Sequence, residues 1–106
     1  MAAWSLYLTA ATQAEAEKIS RTLVEERLAA CANVLGPIRS FYWWQGQVQD
    51  EGEVAFLLKT SADLVDRVVA RVKELHSYSV PCVVSWPIDA GNPDYLAWVE
   101  SETRKV

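Results

Sequence analysis

Four consecutive aromatic residues, Phe41–Trp44, constrain the fold of this chain more than any other feature. A polar segment follows them, and then the apolar run Val54–Leu58, which ends at Lys59. Aromatic and β-branched residues favour strands, and Gly46 and Gly52 are typical of turns or bulges. The pattern predicts a long β-ribbon with more large apolar surface than a small monomer exposes to water. It therefore predicts a partner surface, most simply a second copy of the chain.

The length of 106 residues predicts one domain spanning 1–106. The net charge of −4 gives no basic surface for nucleic acid or for an anionic membrane. The N-terminal segment lacks the pattern of a signal peptide, and no apolar segment approaches the roughly 20 residues that span a bilayer, so we expect a cytoplasmic protein. Cys31 and Cys82 lie in apolar sequence and form no CxxC pair. We expect buried, reduced thiols, with a redox or metal-thiolate role as the alternative.

Alternation and capping signals divide the chain into seven elements. The helix starts carry a capping box at Thr12 and Glu15, a cap at Ser61 and an Asn92-Pro93-Asp94 start, and His76 ends the second helix. The predicted elements are a strand at Trp4–Thr9, a helix to about Ala30, a strand at Ala32–Trp44 bent at Gly36-Pro37, a turn at Gln45–Gly52, a strand at Glu53–Thr60, the second helix, an edge strand at Val80–Ile88, the third helix and a polar tail at Ser101–Val106.

This order, β-α-β-β-α-β-α, predicts an α+β fold. The first six elements match the ferredoxin-like split βαβ plan, in which two helices cover one face of an antiparallel sheet. The seventh element is an extra C-terminal helix. The second sheet face then needs a cover, which the third helix, the ribbon of a neighbouring copy, or both would supply.

The chain also resembles the CutA family of divalent-cation tolerance proteins along nearly its whole length. The motifs that carry the resemblance are Leu23–Asn33, Ser40–Gly46, Lys59-Thr60, His76–Pro81 and Gly91–Val99. The resemblance implies ferredoxin-like subunits in a homotrimer, with clefts between subunits and an association with copper and other divalent metals. We therefore expect a trimer interface that includes Phe41, Tyr42, Trp43 and Trp44.

Near the only histidine, the chain departs from the family pattern. Ser77 stands where the family commonly has proline, Ser79 where an acidic residue is frequent, and Cys82 where a charged residue is usual. The strand Trp4–Thr9 also lacks a cysteine that has been proposed as a metal ligand in some members. The chain loses oxygen ligands near His76 and gains a thiol, so we expect no required cofactor and at most weak Cu²⁺ binding.

The candidate ligand cleft consists of aromatic and ionisable residues: Tyr42, Trp44, Lys59, His76 and Tyr78. His76 could instead be a hydrogen-bonded helix cap, and Lys59 could extend to solvent rather than attract an anionic ligand. The aromatics, together with Tyr95 and Trp98, are also typical of a core or an interface. As metal ligands, His76 and Cys82 supply too few donors for a tight site.

Three carboxylates cluster at the predicted hairpin turn, Asp50 and Glu51 within it and Glu53 directly after it. A solvated loop or a weak surface cation site would explain them. The chain has no GxGxxG, GxxxxGK, HExxH or GxSxG motif. The sequence thus favours a homotrimeric, non-enzymatic binding or signalling module linked to metal tolerance. The alternatives are an enzyme with an inter-subunit site at His76 and Lys59, or a purely structural interaction protein.

Overall fold

The computed structural model describes residues 2–103 and has the predicted α+β architecture. In chain order the elements are β1 (Ala3–Ala10), α1 (Gln13–Glu25), β2 (Cys31–Trp44), β3 (Gln47–Ser61), a 3₁₀ turn (Ala62–Leu64), α2 (Val65–Leu75), β4 (Val83–Pro87) and α3 (Pro93–Glu102). The strands form one sheet in the order β2-β3-β1-β4, and every neighbouring pair is antiparallel. This arrangement confirms the ferredoxin-like plan with an added C-terminal helix.

The main core lies between the sheet and the helices α1 and α2. Alternate residues of the two central strands face the helices because successive strand side chains point to opposite faces. They pack against one apolar stripe of each helix. The fully buried members of this core include Leu6, Leu8, Ile19, Leu23, Phe56, Leu58, Val68 and Val72.

Helix α3 lies on the opposite face of the sheet and covers one end of it. Val99 is fully buried and packs with Ala3 and Ala30. The predicted cap at Ser61 is wrong, because this side chain makes no capping hydrogen bond. Its Oγ instead shares a hydrogen bond with Oγ1 of Thr103, just beyond α3. The bond joins the end of β3 to α3, and the rest of this sheet face stays open.

The ribbon is longer than the sequence predicted. The predicted turn at Gln45–Gly52 is wrong, because only Gln45 and Gly46 form the turn, with φ of 51° and 79°. Two successive positive φ angles fit the twist of a tight hairpin, so no longer loop is needed. Strand β3 therefore begins at Gln47, and Gly52 pairs with Arg39 inside the ribbon.

Other boundaries also shift. Helix α1 ends at Glu25 rather than near Ala30, since Arg27 adopts a φ of 65° that a helix cannot continue. The fourth strand spans Val83–Pro87 and lies at the sheet edge, as predicted, but is shorter. Asn92 caps α3 through its side chain, as predicted. The predicted start of the C-terminal tail at Ser101 is wrong, because α3 continues to Glu102, and residues 104–106 lie outside the described residues. No helix of 2–103 is long and apolar enough to cross a membrane.

We expect Gly36→Ala to lower the free energy of unfolding by about 1–3 kcal/mol, the usual cost of a strained backbone conformation. Gly36 lies at the register shift of β2 with a φ of 117°, and no atom lies within 4 Å of a Cβ added there. Because the added methyl group would meet no neighbouring atom, the loss of stability would come from the strained backbone conformation. Chemical denaturation measures it, and Gly52→Ala in the facing strand is the matched control. Equal stability of the two variants would contradict this account.

Candidate functional site

The open sheet face and the ribbon expose an unusual amount of apolar surface. Phe41 is 66% exposed, Trp43 is 73% exposed and Trp44 is 44% exposed. Edge strand β4 adds Val84 and Trp86, which are also exposed. Within the ribbon, Phe41 and Trp43 point to one face and Trp44 points to the other. The fold of a single chain therefore leaves apolar side chains uncovered on both faces of the ribbon.

A cavity of about 870 Å³ opens between the ribbon, the middle of β1 and the segment that precedes β4. Its lining comes from these three parts of the chain: Tyr7, Thr9, Ile38, Arg39, Ser40, Phe41, Tyr42, Trp44, Gln49, Glu51, Glu53, Tyr78, Ser79, Val80 and Cys82. Of the predicted cleft residues, Tyr42, Trp44 and Tyr78 line it. The predicted metal candidate Cys82 also lies in its wall.

Two carboxylates of β3 lie in the cavity wall, and each accepts a hydrogen bond from a tyrosine. The hydroxyl of Tyr42 donates to Oε1 of Glu51. The hydroxyl of Tyr78 donates to Oε2 of Glu53 at 2.8 Å. The prediction that these carboxylates lie in a turn is wrong, although Glu51 is exposed to solvent and Glu53 is half-buried. The hairpin turns at Gln45-Gly46, which leaves both carboxylates on a paired strand.

The third carboxylate of the predicted turn, Asp50, lies on the other face of the ribbon. It receives two hydrogen bonds from the guanidinium of Arg39, at 2.8 and 2.7 Å. This pairing lowers the pKa of the Asp50 carboxyl. Asp50 is thereby occupied in a cross-strand ion pair, whereas Glu51 and Glu53 are bound only by phenols.

His76 does not line the cavity but lies behind its wall. Its side chain is fully buried, and Nδ1 accepts a hydrogen bond from the amide of Tyr78 at 3.1 Å. The ring proton therefore resides on Nε2, which lies 2.7 Å from the carbonyl oxygen of Thr9 and donates to it. The His76 and Tyr78 rings also stack, with centroids 4.7 Å apart. His76 is the hydrogen-bonded helix cap of the alternative prediction, and it positions Tyr78.

Glu15 extends this network at the start of α1. Its carboxylate accepts the amide of Ser77 at 2.7 Å and the hydroxyl of Ser77 at 2.9 Å. Burial raises the pKa of Glu15, but these two hydrogen bonds outweigh burial and hold the pKa below its ordinary value. In the predicted capping box, Thr12 accepts the amide of Glu15, while Glu15 reaches the amide of Ala11. The residue that replaces the family's usual proline thus ties the histidine segment to α1.

Lys59 lies outside the cavity, nearer the end of the sheet face that α3 covers. Its Nζ donates to Oδ1 of Asn33 at 3.1 Å, and its neighbour across the strands is Cys31. The Sγ atom of Cys31 in turn lies within hydrogen-bonding distance, 3.2 Å, of the hydroxyl oxygen of Tyr95 on α3. The structure therefore does not bring Lys59 together with His76.

The donors for a metal are few. Cys82 and Cys31 are free thiols, and both are partly rather than fully buried. Burial, followed by the negative charge of Glu53, raises the pKa of the Cys82 thiol. A raised pKa keeps the thiol protonated, which makes it a poor metal ligand. Within residues 2–103, no group of three or more His, Cys, Asp or Glu side chains is placed to hold a metal ion.

Sequence reasoning missed the contribution of β1 and the role of the carboxylates. Tyr7 faces the open side of the sheet, on the same face as Glu53 and Leu57. An alternation of apolar and polar residues predicted that face of β1 to be the wetter one, but gave no sign that it would meet the ribbon. The spacing of Glu51 and Glu53, two residues apart, would have placed both on one face once the short turn was recognised.

Comparisons with known proteins agree on one family. The CutA1 divalent ion tolerance protein family matches residues 4–102. The divalent-cation tolerance protein CutA of Pyrococcus horikoshii is 45% identical over 94% of this chain and 97% of its own. The structure of CutA1 from Oryza sativa superimposes with a TM-score of 0.96 at 35% identity, covering 100% of this chain and 97% of that one. CutA from Archaeoglobus fulgidus, described as periplasmic, gives 0.90 at 38% identity and covers 94% of this chain and 97% of that one.

We expect Glu15→Gln to lower the free energy of unfolding at pH 7 by about 1.5 kcal/mol, because a neutral acceptor replaces a charged one in two hydrogen bonds. The folded pKa of Glu15 is below the ordinary value of 4.5. Its stabilisation is therefore present above about pH 4.5 and is lost as the pH falls through the folded pKa.

Denaturant titrations of wild type and Glu15→Gln from pH 7 to pH 3 measure this effect. Glu17→Gln, on the exposed side of the same helix, is the matched control. The gap between wild type and Glu15→Gln should narrow in acid, whereas Glu17→Gln should match wild type throughout. A gap that is constant with pH would contradict the assignment.

Proposed function

Because this chain belongs to the CutA1 divalent ion tolerance protein family, we propose that it acts as a homotrimeric, non-enzymatic binding or signalling module in divalent metal ion tolerance. Family membership supports the role in tolerance. The aromatic ribbon supports the assembly, and the cavity at its base supports a binding role.

The observation that carries the proposal is the exposure of Phe41, Trp43 and Trp44. An apolar patch of this kind on a small domain marks an interaction surface. Aromatic residues, tryptophan above all, also dominate the energy of protein interfaces. A closed ring of identical subunits would let each ribbon lie against a neighbour without leaving one ribbon uncovered. We therefore assign Phe41, Tyr42, Trp43 and Trp44 to the trimer interface.

The cavity supports binding rather than catalysis. Its volume is within the range of small-molecule sites, and aromatic side chains supply much of its wall. The enzymatic alternative is an inter-subunit active site around His76 and Lys59. In this chain both ring nitrogens of His76 are hydrogen-bonded, and Lys59 binds Asn33 elsewhere on the sheet. The other alternative, a purely structural interaction protein, gives no reason for Glu51 and Glu53 to line the cavity.

We propose that copper, if it binds, does so weakly and that the fold requires no cofactor. A copper ion at His76 would have to replace one of the two hydrogen bonds of the ring. At Cys82 it would have to displace a proton from a thiol whose pKa is raised. Both costs reduce the affinity of a site that already has few donors. We also propose a cytoplasmic location, which two free, unpaired thiols favour.

We expect Trp44→Ala to weaken the trimer. Truncating an aromatic anchor at an interface costs about 2–4 kcal/mol. Light scattering after size exclusion should give about three times 11.9 kDa for wild type and a smaller, concentration-dependent mass for the variant. Trp98→Ala is the matched control, because Trp98 has similar exposure but lies on α3. A Trp44→Ala protein with the mass and melting temperature of wild type would show that Trp44 is peripheral.

We expect calorimetric titration with Cu²⁺ to give a dissociation constant above the micromolar range for the wild-type protein. Cys82→Ser and His76→Ala test the two candidate ligands, with circular dichroism to verify that each variant is folded. Submicromolar binding that is lost in either folded variant would contradict the proposal of weak binding.

A further inference from the structure

We propose that α3 is a detachable strap. It leaves the sheet as one unit while the core of the domain stays folded, and its release uncovers the end of the sheet at Cys31 and Lys59. The inference goes beyond the proposed function, because it concerns how α3 is held within a single chain. It follows from the small apolar contact of α3, from the polar contacts that supplement it and from the exposed segment that precedes it.

The apolar contact between α3 and the sheet is small. Of the residues of α3, only Val99 is buried, and Leu96 is half-buried beside it. Tyr95 and Trp98 of the same helix are exposed. Helix α1, by contrast, buries a continuous stripe: Ala16, Ile19, Ser20 and Leu23. Because the stabilisation from burial grows with the apolar area removed from water, the sheet holds α3 much less firmly than α1.

Polar contacts at the end of α3 supplement this burial. Arg27 donates to Oε1 of Glu102 at 2.7 Å, and both side chains of this ion pair are exposed by 40% or more. Ion pairs with such exposure contribute little, because water and salt compete for both charges. Thr103 shares a buried hydrogen bond with Ser61 at the end of β3. The end of α3 is thus attached through one exposed ion pair and one pair of hydroxyl groups.

The segment that precedes α3 is suited to act as a hinge. The backbone amide of Ile88 donates to the carbonyl of Ala3 at 3.0 Å, which fixes the chain just after β4. Residues 89–92 are exposed and lie between β4 and α3, outside both elements. A few loop residues of this kind can absorb the change in backbone angles that moves a neighbouring element. Release of α3 therefore breaks no strand pairing.

The core of the domain does not depend on α3. The buried residues of the main core come from β1, α1, the loop after α1, β3, the 3₁₀ turn and α2. The four strands pair with one another in one sheet. A released α3 would be a helix of 10 residues alone in water. Isolated helices shorter than about 12–15 residues are marginal, so release would also open the hydrogen bonds of α3.

Release uncovers a polar end of the open sheet face. Cys31 and Lys59 are neighbours across β2 and β3, and Lys59 donates to Asn33. The hydroxyl oxygen of Tyr95 lies 3.2 Å from the Sγ atom of Cys31, so α3 reaches over this end of the face. When α3 leaves, the open face extends to the end of the sheet. The strap thereby sets how much of this face a partner can reach.

Native-state hydrogen exchange, followed by NMR or by mass spectrometry with fragmentation, tests the proposal on the wild-type protein in its native assembly. The protection factors of the α3 amides from residues 96–102 are compared with those of residues 19–23 in the middle of α1. Because release opens all hydrogen bonds of α3 at once, it gives its amides one common, low protection.

We expect the α3 amides to be protected roughly 100-fold less than those of α1, with similar values along the helix. Equal protection of α3 and α1 would overturn the proposal, because α3 would then open only with the whole domain. So would protection that rises along α3 to the value of α1 at Val99, because that gradient indicates fraying of the helix ends rather than release of a unit.

Glu102→Gln weakens the attachment without removing apolar surface. We expect it to lower the protection of the α3 amides at least twofold and to leave the α1 amides unchanged. Glu25→Gln is the matched control, because Glu25 forms an exposed ion pair with Arg21 on α1. The control should leave α3 unchanged. Equal effects of the two variants on α3, or no effect of Glu102→Gln, would contradict the role of the Arg27 contact.

A disulfide tether tests the release itself. Ser61→Cys and Thr103→Cys are combined, since the two side chains already touch, in a protein whose native thiols are removed by Cys31→Ser and Cys82→Ser. We expect the oxidised protein to protect the α3 amides at least tenfold more than the same protein after reduction, with α1 unchanged. Equal protection of α3 in the oxidised and reduced forms would overturn the strap.

Discussion

The antiparallel pairing of β2 with β3 is the interaction on which the rest of the structure depends. Strand β1 pairs with β3 only from Val54 to Ser61, and the helices cover only that part of the sheet. The pairing of β2 and β3 continues to Trp44 and Gln47, so half of the ribbon extends beyond the body of the domain. The ladder pairs only the backbone groups that face between the two strands, so the outer edges of the ribbon and its aromatic side chains are left uncovered. The ribbon therefore creates both the need for neighbouring copies and one wall of the cavity.

The sequence predicted the order of the elements and the class of fold because both follow from local signals. A few neighbouring residues are enough to predict each of these features: the alternation of Leu6 and Leu8, the cap at Asn92 and the helix end at His76. The hairpin turn was predicted at Gln45–Gly52 and is shorter in the structure, since Gly52 resembles a turn residue but pairs within the ribbon. Only the structure shows that Gln45 and Gly46 alone form the turn, which places Asp50 and Glu51 on the same strand as Glu53. The register between β2 and β3, rather than the composition of the segment, determines where the turn and the carboxylates lie.

The candidate site was predictable only in part for the same reason. Of the five residues predicted to form a cleft, Tyr42, Trp44 and Tyr78 line one cavity of the chain, whereas Lys59 and His76 do not. His76 forms no part of the wall but fixes Tyr78 through its amide. The hydrogen bond of Tyr42 with Glu51 depends on the register of the hairpin, and that of Tyr78 with Glu53 joins positions 25 residues apart, so neither follows from a local pattern.

The central claim is that copies of this chain cover its ribbon, and the solvent accessibility of the ribbon side chains in solution tests it most directly. Hydroxyl-radical footprinting measures how fast Phe41, Trp43 and Trp44 are oxidised in the native protein. In the isolated fold these side chains are 66%, 73% and 44% exposed. The account predicts oxidation at a small fraction of the rate that these exposures imply, rising when the assembly is dissociated by dilution. Oxidation at the full rate in the undiluted native protein would contradict it.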